Sequence, residues 1–120
     1  MSARVLLVED SPMISGALRL LLESGGFEVD VAATAAEAKA AGSESRWDVM
    51  LLDISLPDED GLSVVEELEA KGMRPSTVLA MTGHSDPATH ARCMAAGCDD
   101  VLLKPVPVQQ LLRIVSEAVA

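Results

Sequence analysis

The sequence predicts one α/β domain, a doubly wound parallel sheet covered by helices on both faces. Three observations carry that expectation. Five apolar runs of strand length alternate with five stretches of helical length and pattern, the order that builds parallel sheets through crossover helices. The runs are apolar at successive positions, as expected of strands buried on both faces. The 120 residues are enough for one core and too few for two, and no linker, low-complexity segment or internal repeat divides them. The expected domain is therefore 1–120 as a single unit.

Arg4 to Val8 is the first strand and ends at Glu9-Asp10. Ser11-Pro12 supplies an N-cap and a first-turn proline for a helix to about Ser24, closed by Gly25-Gly26. Its expected inward stripe is Ile14, Ala17, Leu18, Leu21 and Leu22; Met13, Gly16 and Leu20 lie beside the stripe, either as peripheral packing or as a docking surface. Phe27 to Ala32 is the second strand. Thr34, with Glu37 three residues on, opens a short helix to Ala41, followed by a polar loop from Gly42 to Arg46. Trp47 to Leu52 is the third strand and delivers Asp53 at its end. A Pro- and Gly-containing loop follows, in which Asp58, Glu59 and Asp60 are expected to be solvated.

A helix from Gly61 to about Lys71 turns Leu62, Val65 and Leu68 inward and Glu66, Glu67 and Glu69 to water. Thr77 to Met81 is the fourth strand, ending at Thr82-Gly83-His84-Ser85. Asp86-Pro87 then opens a helix to Ala96 that stops at Gly97, and Asp100 to Leu103 is the fifth strand, ending at Lys104-Pro105. Val108 to about Val119 closes the chain as an amphipathic helix with Leu111, Leu112, Val115 and Val119 inward.

Composition narrows the function. Hydrophobic residues at 49% and charged ones at 23% are those of a globular chain, and aromatics at 2% leave an aliphatic core. A formal net charge of -10 repels nucleic-acid phosphates and anionic lipid, so neither direct nucleic-acid binding nor membrane insertion is expected. Met1-Ser2-Ala3-Arg4 leads straight into a strand without a signal peptide, and no apolar run reaches membrane-spanning length, which reads as cytoplasmic. Cys93 and Cys98 have neither metal-site nor redox spacing and read as ordinary reduced thiols.

Right-handed crossovers bring the carboxyl ends of all the strands to one edge of the sheet. Glu9, Asp10, Asp53, Thr82 and Lys104 therefore meet there, where open α/β sheets bind their ligands. Carboxylates gathered in one cleft repel one another unless a cation joins them. Oxygen donors without clustered His or Cys point to Mg²⁺, which is commonly held by one or two carboxylates together with phosphate oxygens. Lys104 offers a point charge for a phosphoryl oxygen and Thr82 a hydroxyl donor, leaving Asp53 as a nucleophile able to form an acyl phosphate. Taken singly, each acid can also be read as a helix cap or the start of a turn.

Four motifs in this order, Val-Glu-Asp after the first strand, Leu-Asp-Ile-Ser-Leu-Pro-Asp-Glu-Asp-Gly around the third, Met-Thr-Gly after the fourth and Leu-Lys-Pro after the fifth, resemble those of bacterial response-regulator receiver domains from end to end. The resemblance implies strand order 2-1-3-4-5 and a cis peptide between Lys104 and Pro105. It implies that Asp53 is the phosphoacceptor, that Glu9, Asp10, Asp53 and the Ser55 carbonyl hold Mg²⁺, and that Thr82 and Lys104 bind the phosphoryl group. It further implies a sensor histidine kinase or histidine phosphotransfer protein as donor and a downstream protein target or fused output domain as recipient of the signal. Such a domain catalyses its own phosphoryl transfer and is not a conventional turnover enzyme.

One departure is visible: Val101 stands where receivers usually carry a switch aromatic, three residues before the lysine. His84, two residues past Thr82, reads either as a group over the phosphoryl site or as an exposed loop residue, and His90 as a helix-surface residue. Two other functions fit less well. A phosphatase of the haloacid dehalogenase type needs a general acid two residues after its nucleophile, where this chain has Ser55. A flavodoxin-like cofactor site needs a phosphate loop after the first strand, where Glu9-Asp10 would repel the ligand.

Overall fold

The computed structural model describes residues 2–120. Its apolar runs are strands β1 (Arg4–Val8), β2 (Glu28–Ala32), β3 (Val49–Asp53), β4 (Thr77–Thr82) and β5 (Asp100–Leu103). Between and after them lie helices α1 (Pro12–Ser24), α2 (Ala35–Glu44), α3 (Leu62–Ala70), α4 (Pro87–Ala95) and α5 (Val108–Ala118). The strands form one parallel sheet in the order β2-β1-β3-β4-β5. Both the alternation and the order match expectation.

Side chains alternate across the sheet, so each central strand feeds two cores. Leu6, Val8, Met50, Leu52, Val78 and Ala80 pack with α2, α3 and α4, while Val5, Leu7, Val49, Leu51, Leu79 and Met81 pack with α1 and α5. Burying each Val, Leu or Met side chain contributes about 1.5–3 kcal/mol, and an apolar residue at every central position follows from having a helical layer on each side. The Trp47 indole donates its Nε1–H to the Ala41 carbonyl at 3.1 Å, with the Arg4 guanidinium 4.2 Å from its ring centre.

Helix starts follow their caps. Ser11, Thr34 and Asp86 each accept an amide three residues on, from Ile14, Glu37 and Thr89. Helix α4 ends where the Gly97 and Cys98 amides donate to the Met94 and Cys93 carbonyls, with Gly97 at φ +108, a conformation costly for any side chain.

Several boundaries and faces differ from the sequence reading. Helix α2 runs on to Glu44 instead of stopping at Ala41, because Gly42 is a packing position: a Cβ there would lie 2.5 Å from the Leu68 side chain of α3. In α1 the inward positions are Ser15, Leu18, Leu21 and Leu22, whereas Ile14 and Ala17 are exposed. Burial of Ser15 on this face is tolerated because its hydroxyl donates to the Pro12 carbonyl at 3.3 Å. Val64 joins the α3 stripe, and Val119 falls past the end of α5, with Ile114 and Ala118 packing in its place.

Candidate phosphoryl and metal site

The carboxyl edge of the sheet is assembled by the last hydrogen bonds of its ladders. The Glu9 amide donates to the Ala32 carbonyl at 3.0 Å, Ile54 to Met81 at 3.2 Å and Lys104 to Thr82 at 2.8 Å. With β1 paired to β3 along Val5–Val8, residues at the ends of β1, β3, β4 and β5 are held side by side. Glu9, Asp53 and Thr82 are buried although polar, while Asp10 faces solvent. The peptide bond joining Lys104 to Pro105 is cis.

Lys104 reaches across this edge, its Nζ 2.9 Å from Asp53 Oδ2 and 3.3 Å from Glu9 Oε1. The other Asp53 oxygen, Oδ1, accepts the Ser55 amide at 2.9 Å. Glu9 Oε2 accepts the Ser11 amide at 3.2 Å, and Thr82 Oγ1 accepts the His84 amide at 3.1 Å, leaving the hydroxyl hydrogen free to donate. Burial and then the neighbouring Asp53 charge push the Glu9 carboxyl up from its ordinary range. For Lys104, burial acts downward, but the hydrogen bond and charge of Asp53, joined by Glu9, outweigh it and raise the ammonium above an ordinary lysine.

Carboxylate oxygens of Glu9, Asp10 and Asp53 lie within 4.8 Å of one another. Three clustered carboxylates against a single ammonium, which touches Glu9 and Asp53, leave the edge short of positive charge. An all-oxygen donor set with that deficit suits a hard divalent cation such as Mg²⁺. The site can thus bind a cation and, beside it, present Asp53 as a nucleophile with Lys104 and the Thr82 hydroxyl poised for an anion.

All the sequence-derived candidates, Glu9, Asp10, Asp53, Ser55, Thr82 and Lys104, occupy this edge. His84 is an exposed loop residue lining a polar recess of about 390 Å³ with Ser55, Thr89 and Arg92. Met13 is 85% and Leu20 71% exposed, so they do not pack at the margin of the core. Val101 is half-buried against the α2–α4 side of the sheet.

The loop acids are not simply solvated. Asp58 accepts the Ala35 and Ala36 amides at 2.9 and 3.1 Å, Glu59 binds Lys39 at 2.9 Å, and Asp60 pairs with Arg92 of α4 while accepting the Leu62 amide at 3.0 Å. Asp99 bridges Arg74 and the Val78 amide, each at 2.7 Å. Only the Asp60 contact to the Leu62 amide has a local sequence signal, two residues ahead; the other partners are 20 to 32 positions away.

Residues 5–116 match the family described as response regulator receiver domain. The chain is 34% identical over 115 residues to the transcriptional regulatory protein KdpE of Mycobacterium tuberculosis, covering 96% of this chain and 50% of that one. It spans about half the length of the curated relatives it matches. Among solved structures, Vibrio cholerae chemotaxis protein CheY4 superposes with a TM-score of 0.92 at 28% identity, covering 98% of this chain and 99% of that one. The receiver domain of sensor histidine kinase PA1611 from Pseudomonas aeruginosa superposes at 0.89 with 30% identity, covering 99% and 98%; that structure has a magnesium ion coordinated in its active-site cleft.

Proposed function

The chain belongs to the response regulator receiver domain family of two-component systems, and on that premise we propose that Asp53 accepts its phosphoryl group. Thr82 and Lys104 then bind the transferred oxygens, and Glu9, Asp10, Asp53 and the Ser55 carbonyl hold Mg²⁺. The observation that carries this reading is Lys104, which spans 51 and 95 positions of sequence to contact both Asp53 and Glu9. Caps and turns that formed independently would have no reason to converge on one ammonium group.

The donor is a phosphohistidine on a sensor kinase or a phosphotransfer protein. An Asp53 oxygen attacks phosphorus, the P–N bond breaks, and the imidazole nitrogen leaves with the electron pair. The Ser55 amide and Lys104 orient the carboxylate, and burial keeps competing water from it. Lys104 and the Thr82 hydroxyl stabilise negative charge on the phosphoryl oxygens as it redistributes. A divalent cation held by Glu9, Asp10 and Asp53 would add charge neutralisation to theirs. The domain contributes these groups to its own modification and is read as a phosphoacceptor rather than a turnover enzyme.

Output follows from the same contacts. A Thr82 hydroxyl that turns toward a phosphoryl oxygen gives up the His84 amide, which links the site to the loop before α4 without the aromatic that Val101 replaces. Residues 1–120 form one receiver unit, acting on a downstream protein or a fused output domain in the cytoplasm, with no direct role for nucleic acid. The exposed Met13 and Leu20 on α1 offer the donor protein an apolar contact.

Incubation with acetyl phosphate and Mg²⁺ is expected to add one phosphoryl group, labile to acid and base, as read by intact-mass spectrometry. Asp53→Asn is expected to abolish that addition. Undiminished labelling of the variant would overturn the assignment.

A further inference from the structure

We propose that Asp58 is a positioning residue for the phosphoacceptor site: by holding the first two amides of α2 it fixes the loop that places Ser55 against Asp53. The inference rests on the reading of Asp53 as phosphoacceptor and of the Ser55 carbonyl as a metal ligand.

The loop joining β3 to α3 is closed at its base by backbone contacts. The Gly61 amide donates to the Ile54 carbonyl at 2.9 Å, and Ser55 pairs with Asp60 in an isolated antiparallel bridge. Its apex is held by side chains instead. Asp58 receives the Ala35 amide on Oδ1 at 2.9 Å and the Ala36 amide on Oδ2 at 3.1 Å. A carboxylate on the free amides at a helix start is among the stronger hydrogen-bonding arrangements, favoured by charge and by the helix dipole. Next to it, Lys39 Nζ lies 2.9 Å from both carboxylate oxygens of Glu59.

Helix α2 is the fixed partner in this pairing. Its own cap, Thr34 Oγ1, already takes the Glu37 amide at 3.1 Å, and Ala35, Ala38 and Gly42 seat it in the core. Asp58 is therefore not needed to start α2, and the restraint acts on the loop. Between Asp58 and Ser55 lie only Leu56 and Pro57. Proline fixes its own φ and restricts the residue before it, so the pair behaves as a stiff strut and a displaced Asp58 displaces Ser55. Ser55 in turn holds Asp53 Oδ1 through its amide at 2.9 Å.

The test compares Asp58→Ala and Asp58→Asn with Thr34→Ala, which removes the helix's own cap and leaves the loop anchor intact. Amide hydrogen exchange is read on the metal-free chain and Mg²⁺ affinity by calorimetry. Asp58→Ala is expected to speed exchange at Ala35, Ala36 and Ser55 and to weaken Mg²⁺ binding by about tenfold, the lower end of losses typical for groups that orient a metal ligand. Asp58→Asn, retaining one acceptor oxygen, is expected to recover part of both. Thr34→Ala is expected to speed exchange at Glu37 while leaving Ser55 and Mg²⁺ affinity unchanged. If Asp58→Ala speeds exchange only at Ala35 and Ala36, Asp58 is a helix cap and the proposal fails. Absence of Mg²⁺ binding by the unsubstituted chain would overturn the site assignment instead, and the metal-free Ser55 comparison decides the positioning role by itself.

Discussion

Glu9 shows how burying an acid beside another acid costs stability at a single residue. Burial, with the Asp53 charge beside it, raises its carboxyl above the ordinary range, so the folded chain binds this proton more tightly than the unfolded chain does. Its destabilising effect is absent well below the unfolded value and grows as pH rises from there through the folded value. Glu9→Gln is therefore expected to raise the urea midpoint of the metal-free protein at pH 7, with the advantage shrinking as pH falls toward the ordinary carboxylate range. Added Mg²⁺ should stabilise the original chain more than the variant, and a midpoint that drops on substitution would contradict this account. Glu9, Asp10, Asp53, Thr82 and Lys104 were legible because each ends an apolar run. Asp58 was not, because its meaning lies in amides 22 and 23 positions earlier that no local pattern connects to it.

Elements were read well where a cap or a glycine closes them and poorly where a neighbouring element decides. The continuation of α2 through Gly42, for example, depends on Leu68 arriving from α3. Glycines illustrate the same division. A Cβ at Gly61 would stand 2.7 Å from the Asp53 carbonyl oxygen and 2.7 Å from Ile54 Cα, both backbone atoms that cannot swing aside. Gly61→Ala is expected to cost about 1–3 kcal/mol by overpacking. Gly16, inside α1, has nothing within 4 Å of the same position, and Gly16→Ala is expected to add roughly 0.5–1 kcal/mol through helix propensity. Urea unfolding of the two variants checks both signs.

At the scale of the whole molecule, alternation of apolar runs was enough to anticipate a parallel sheet with two helical layers, and the matched motifs supplied its strand order. The net charge of -10 also acts globally. Raising monovalent salt from about 0.01 M to about 0.15 M shortens the screening length from roughly 30 to 8 Å, and the thermal midpoint of the metal-free protein is expected to rise. Mg²⁺ at matched ionic strength should raise it further, because site binding adds to screening; equal shifts with both salts would leave no room for a specific ion. The long reach of Lys104 also sets an order of events during synthesis. The ribosome releases Glu9, Asp10 and Asp53 long before Lys104, and β5 reaches its place only by pairing with β4. A nascent chain thus carries its acids without their counter-charge until the last strand docks, so the meeting of Lys104 with Glu9 and Asp53 certifies that the sheet is complete.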